Sequence, residues 1–225
     1  MVRRDTMMDE PIAHSPRPKQ GIPAQSYVEH VGEVVRESVK RASDAASFSP
    51  RWGDLLVAVV RLASEYHDLG KLDSANQAVL RKESRQPLPV KHEDAGAAHF
   101  LSGQDLSLSR LLCAITIFAH HRGLPSIVEQ EAREQFCYRI PETDPGKEPL
   151  YARTNSRLAS YRKLHQRVVN GLEPLRAEPV QAEFGQMFCR IALSCLVDAD
   201  HSDTARHYGN ALYCAPKTGQ VHNGG

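Results

Sequence analysis

The stretch "EYHDLGKLD", Glu65 to Asp73, sets an imidazole and a carboxylate side by side where an apolar helix stops. His67 and Asp68 follow the run "DLLVAVVRLASEY", which reads as a buried helix, and neither is a usual choice for a bland core position. A helix-end charge cluster is the plain alternative, since a histidine near a C-terminus suits the helix dipole. An aspartate does not suit it, and the preceding run is buried, so the pair reads as functional. The other notable histidines also mark helices: His30 on the first, His92 opening another, and His120 with His121 closing a third. Asp198 and Asp200 end the last long apolar helix. With Asp68 and one of this last pair, they make a shell of five histidines and two aspartates. Imidazole nitrogen with carboxylate oxygen is the ligand set of borderline divalent metals. A carboxylate can bridge two ions, and two ions about 3.5–4 Å apart can draw a nucleophile from water and steady a leaving oxygen.

The elements that must carry these groups read as helices. "SYVEHVGEVVRESVKRASDAA" has apolar residues at helical spacing, with Ser26 as N-cap. "WGDLLVAVVRLASEYHD" is a second helix, and "SANQAVLRKE" a short third capped by Asp73 or Ser74. "HEDAGAAHFL" is a fourth, with Glu93 and Asp94 as capping acids. "SLSRLLCAITIFAHH" is a fifth, stopped by Gly123 and Pro125. "PSIVEQEAREQFCYR" is a sixth, and "RIPETDPGKEPLY" a loop or a break between lobes. "RTNSRLASYRKLHQRVV" is a basic amphipathic helix, read either as a solvated face or as the wall of a DNA groove. "QAEFGQMFCRIALSCLVDADHSDTAR" is the last. Strand alternation is almost absent, and no phosphate-cradling glycine loop is present. The expected fold is all-α, with helices converging on one site.

Composition sets the limits. The chain has 225 residues, a net charge of +1 and 41% hydrophobic residues, enough for one core. The near-neutral charge does not advertise a strong phosphate binder. No apolar run approaches the roughly 20 residues that span a bilayer, and the N-terminus lacks the apolar core of a secretory signal. The five cysteines, Cys113, Cys137, Cys189, Cys195 and Cys214, are scattered. Three of them, Cys113, Cys189 and Cys195, fall within apolar helical patterns and read as small core residues, which fits a reducing cytoplasm. The expected organisation is a flexible tail over 1–25, a folded domain over 26–210 and a loose tail or linker over 211–225. His99, His165, His201, His207 and His222 read as structural or surface residues, with His99 as core or as a partner behind a ligand.

The order His, His-Asp, His, His-His, Asp resembles the HD metal-dependent phosphohydrolase superfamily. More narrowly, "YHDLGKLD", "KHEDAGAAHFL", "FAHHRGLP" and "CLVDADHSDT" are similar to the HD nuclease of the type I CRISPR-associated nuclease–helicase. The resemblance implies an HD-type helical domain with a central metal site. It implies that His30, His67, Asp68 and Asp200 hold one metal, and that Asp68 bridges to a second held by His92, His120 and His121. It implies Lys71 beside the scissile phosphate, so that Asp68 and Lys71 are the catalytic pair. Two divalent ions are expected, with Mn, Fe, Co or Ni ahead of Mg or Zn. Cleavage of single-stranded DNA is the expected reaction. The expected partners are that DNA, a helicase module in cis or in trans, and an RNA-guided CRISPR surveillance complex in the cytoplasm. The chain would be a stand-alone nuclease or an excised N-terminal domain. It departs from many relatives at Asn76, where an aromatic residue precedes the glutamine. Asp198 and Asp200 lie roughly 200° apart around a helix, and the superfamily's Ala-Asp pattern points to Asp200. Two rival readings remain: an HD phosphohydrolase acting on nucleotides or cyclic nucleotides, and a docking module that recruits a helicase.

Overall fold

The computed structural model describes residues 10–49, 51–82, 86–103, 106–133, 137–140, 150–169 and 186–209. Among them lie eight α-helices and one two-stranded ribbon, so the fold is all-α. No described helix is long and apolar enough to cross a membrane.

Helix α1 spans Tyr27–Ala46 and starts on a reciprocal cap: Glu29 N–H donates to Ser26 Oγ, and Ser26 N–H donates to Glu29 Oε2. Its Tyr27, His30, Val31, Val34, Ser38 and Ala42 are buried along one stripe. Helix α2, Gly53–Tyr66, returns alongside it and gives Leu56, Val59, Val60 and Ala63 to the same core. A short 3-10 turn, Leu69–Leu72, follows the His-Asp pair, and α3, Ser74–Leu80, is capped by Asp73, whose Oδ1 accepts from Ala75 N–H at 2.8 Å. Helix α4 is His92–Leu101, α5 is Leu108–Ala119 and α6 is Ile127–Glu131. Helices α7, Leu150–Val169, and α8, Gln186–His207, complete the order.

Two apolar clusters hold these elements. One joins α1, α2, α5 and α8 through residues such as Val34, Leu56, Ile117 and Leu196. The other gathers Tyr27, Val31, Leu69, Leu72, Ala95, Ala98, Leu158 and Tyr161 beneath α7. Each fully buried leucine here contributes about 1.5–3 kcal/mol. The site lies where the ends of α2 and α5 meet the start of α4 and the acidic turn of α8.

Several expectations are corrected. Residues 10–25 are not a flexible tail. Strand β1, Ile12–His14, pairs antiparallel with β2, Gln25–Ser26. Gln77 holds β1 as a third strand would: its Oε1 accepts from Ile12 N–H at 3.0 Å and its Nε2 donates to Ile12 O at 2.8 Å. Among the described residues the sixth helix is only Ile127–Glu131; further on, Tyr138 takes φ 54° and its N–H donates to Gln130 Oε1 at 2.7 Å. Helix α7 starts at Leu150, inside the expected loop. Arg139, also assigned to that loop, is buried and forms a two-pronged pair with Asp94. Asp94 therefore anchors Arg139 rather than capping α4, and neither it nor Glu93 is an N-cap. Cys113 and Cys195 are buried, whereas Cys189 is only half-buried. Residues 1–9, the rest of that loop, Cys214 and the C-terminal segment 210–225 lie outside the described residues.

Candidate metal centre

His67 and Asp68 sit where α2 gives way to the 3-10 turn, and both side chains are almost fully buried. Gly70 lets that turn press against the first residue of α4. Asn76 locks the two together, donating to Gly70 O at 2.9 Å and Val90 O at 2.8 Å while accepting from Val90 N–H. This seats His92 against Asp68. At α5, Gly123 takes φ 77° and its N–H donates to Ala119 O at 2.7 Å, closing the helix just beyond His120 and His121.

Asp68 stands between two sets of nitrogens. Its Oδ2 lies 3.0 Å from His30 Nε2 and 3.5 Å from His67 Nε2, and its Oδ1 lies 3.3 Å from His92 Nε2. On the first side, Asp200 Oδ1 is 3.4 Å from His30 Nε2 and 3.8 Å from His67 Nε2. On the second side, His92 Nε2 lies 2.8 Å from His121 Nε2, and the His120 ring is 4.0 Å from that of His121. His30, His67 and Asp200 form one group able to hold a metal ion, His92, His120 and His121 form another, and His14, His30 and Asp203 form a third that shares the His30 ring. All seven residues of the expected shell meet here.

The donor atoms suit a metal because of what lies behind them. His67 Nδ1 is 2.7 Å from Ser64 O, and His120 Nδ1 is 2.6 Å from Ile117 O. A carbonyl oxygen only accepts, so each Nδ1 carries the proton and each Nε2 keeps a lone pair. Those Nε2 atoms, with His30 Nε2, are buried and lack a directed hydrogen bond. An orphaned buried acceptor is costly, and a cation in each group would relieve it, at His30 and His67 on one side and at His120 on the other. The histidine and carboxylate clusters can therefore hold a metal ion.

Electrostatics agrees. Burial pushes the His92 imidazole well below its ordinary value and lowers that of His120 to about 3, so both are neutral donors. Burial alone would raise Asp68, but His67, Lys71 and His92 hold it well below the usual carboxylate range. Asp200 is likewise held low against burial by His67 and His30. Burial would also lower His30, but the carboxylates of Asp203 and Asp68 beside it prevail and raise it. Lys71 is buried with its Nζ 2.6 Å from Asp68 Oδ2, which makes it a built part of the site rather than a solvated loop residue.

The choice between the two acids of α8 is settled by position. Asp200 is buried against the histidines, whereas Asp198 is exposed and accepts from Ser194 Oγ at 3.2 Å. Two groups near the site, Asp203 and His14, were not singled out from the sequence, and Gln77 entered only through the family pattern. Asp203 accepts from His30 Nδ1 at 2.8 Å. Gln77 also donates to Lys71 O at 2.9 Å. His14 packs edge-on against the His30 ring, 4.6 Å between centroids. The pattern "DADHSDT" held the signal for Asp203, because residues three apart share a helix face. His99 stacks on Tyr66 at 4.0 Å, and its Nδ1 accepts from Arg162 Nε at 2.9 Å, so it belongs to the packing behind the site. His165 is buried between Tyr27 and Glu65.

The basic face of α7 is largely occupied within the fold. Arg153 and Arg157 both pair with Asp73, at 2.9 and 3.1 Å. Arg162 is directed at His99 and Ser102. These three arginines therefore pin α7 to its neighbours.

Comparison with protein-family models, with curated proteins and with solved structures found no match.

Proposed function

We propose that the chain is a metal-dependent HD nuclease that hydrolyses phosphodiester bonds of single-stranded DNA in type I CRISPR interference. The observation that carries the hydrolase reading is Asp68, whose two oxygens face separate histidine groups. In this reading His30, His67, Asp68 and Asp200 hold one divalent ion, and His92, His120, His121 and the second oxygen of Asp68 hold another. Nitrogen donors dominate, which favours Mn, Fe, Co or Ni over Mg. Ions bound there would supply Lewis acidity toward the phosphate and a nucleophile drawn from water at neutral pH. The chain's own part is to keep His92 and His120 neutral by burial and Asp68 and Asp200 ionised. Lys71 sets a fixed positive charge beside Asp68, where charge on a phosphate is offset. The choice of DNA, of a helicase partner and of the CRISPR pathway rests on the resemblance of the four motifs.

The test is metal content by elemental analysis, followed by assay of the purified chain with Mn against single-stranded DNA and a panel of nucleotides and cyclic nucleotides. Cleavage of DNA that disappears in Asp68→Ala, with the helical circular dichroism retained, is the expected result. Turnover of nucleotides alone would shift the reading to a nucleotide phosphohydrolase. A chain that takes up no metal would be a docking module instead.

A further inference from the structure

Asp203 lies three residues beyond Asp200 on α8 and is almost fully buried. Its Oδ2 accepts from His30 Nδ1 at 2.8 Å and from Gln25 Nε2 at 2.8 Å. Gln25 belongs to β2, so the N-terminal ribbon reaches the site through this oxygen as well as through His14. The other nitrogen of the same ring, His30 Nε2, is the atom that faces Asp68 and Asp200. His30 lacks the backbone carbonyl that orients His67 and His120. Its Nδ1 is directed at a carboxylate instead, and that carboxylate is itself held by an amide from a separate element.

We propose that Asp203 is a positioning residue. It fixes the tautomer and the ring plane of His30, raises the basicity of Nε2, and thereby sets the affinity of the His30–His67–Asp200 group for a divalent cation. Gln25 holds Asp203 in register for that task. A carboxylate behind a metal-facing imidazole typically changes affinity by about 10- to 100-fold. The inference rests on the metal-centre reading above. It adds a carboxylate on the Nδ1 side of His30, and it gives the N-terminal ribbon a role at the site.

The test is titration of the metal-free full chain with cobalt(II), followed by calorimetry and by the visible absorption of the bound ion. Asp203→Asn keeps the side chain's shape and an oxygen that can still accept from His30. The expected result is that one of two binding steps weakens about 10- to 100-fold and its absorption band shifts. The step belonging to His92, His120 and His121 stays in place and reports an intact fold. In the zinc-loaded chain, one downfield ring N–H proton resonance moves or is lost in the variant. If Asp203→Asn lowers the unfolding midpoint but leaves both steps and the resonance unchanged, Asp203 merely ties β2 to α8 and the inference fails alone. If the unaltered chain binds no cobalt, this inference and the metal-centre reading fail together.

Discussion

A Cβ placed on Gly70 would stand 2.5 Å from His92 Cα and 2.8 Å from His92 O. The turn after Asp68 therefore touches the start of α4 backbone to backbone, and only a residue without a side chain permits it. That contact is what brings His92 Nε2 to 3.3 Å from Asp68 Oδ1. Gly70→Ala must push α4 away, because backbone cannot yield as a flexible side chain does. The expected outcome is a loss of about 1–3 kcal/mol in stability and weakened metal binding at the His92 group. Urea unfolding and metal titration of the variant check it. Unchanged values for both would mean that the two segments are free to part.

Lys71 and Asp68 form a close buried pair, 2.6 Å apart. In the metal-free chain the ammonium offsets a carboxylate that would otherwise face water-poor surroundings. Lys71→Met removes that competitor for Asp68 along with the positive charge. Metal affinity is expected to hold or rise, while DNA cleavage falls by roughly 100-fold or more, the scale for losing one donor to a developing charge. Binding and turnover measured on the same preparation separate the two effects. A variant that loses metal and activity together would make Lys71 a prop for Asp68 rather than a helper of the reaction.

Burial and the neighbouring arginines Arg162 and Arg110 lower the His99 imidazole to about 3. Its Nδ1 already accepts from Arg162, which leaves no place for a proton there. An unfolded chain protonates the same ring near 6.5. Above that pH neither state is charged and the group has no effect. As pH falls from about 6.5 toward 3, the unfolded chain gains a proton that the fold refuses, so stability falls. The decline is at most about 1.4 kcal/mol per pH unit for one proton. His99→Gln retains an acceptor for Arg162 and does not titrate. The difference in unfolding free energy between the two chains should therefore shrink or reverse between pH 7 and pH 5. A constant difference would show that His99 carries its charge inside the fold.

The helices were legible because apolar residues repeat at helical spacing and some starts carry a capping residue, as at Ser26 and Asp73. The metal-facing residues were legible because histidine and aspartate are out of place at the ends of apolar helices. What was not legible depends on pairing across distance. Strand β1 is only three residues long, and its partners are β2 and the side chain of Gln77, neither of which leaves a local pattern. Asp203 looks like any polar residue of a helix end until Gln25 and His30 arrive beside it. The arginines of α7 read as a solvated or DNA-facing stripe because their common partner, Asp73, lies far away in the chain. Asn76, counted as a departure from a family pattern, takes up three backbone groups around the site.

Gln77 ties the N-terminal strand to the turn that carries Lys71. One amide serves Ile12 N, Ile12 O and Lys71 O, at 3.0, 2.8 and 2.9 Å. The strand it holds carries His14, whose ring packs on His30, and it leads to β2, whose Gln25 holds Asp203. Gln77→Ala leaves three buried backbone groups without partners, and each such loss costs about 1–3 kcal/mol unless water enters. Water can enter most readily by peeling β1 away, since the strand has only a two-residue neighbour on its other side. The expected outcome is local rather than global: amide exchange at Ile12 rises sharply while that of α2 and α5 stays slow. Hydrogen exchange resolved by residue measures this directly. Retained protection at Ile12 would mean that β2 alone secures the strand. Uniform acceleration across α2 and α5 would mean that the ribbon and the helical core open as one cooperative unit, with Gln77 part of its common support.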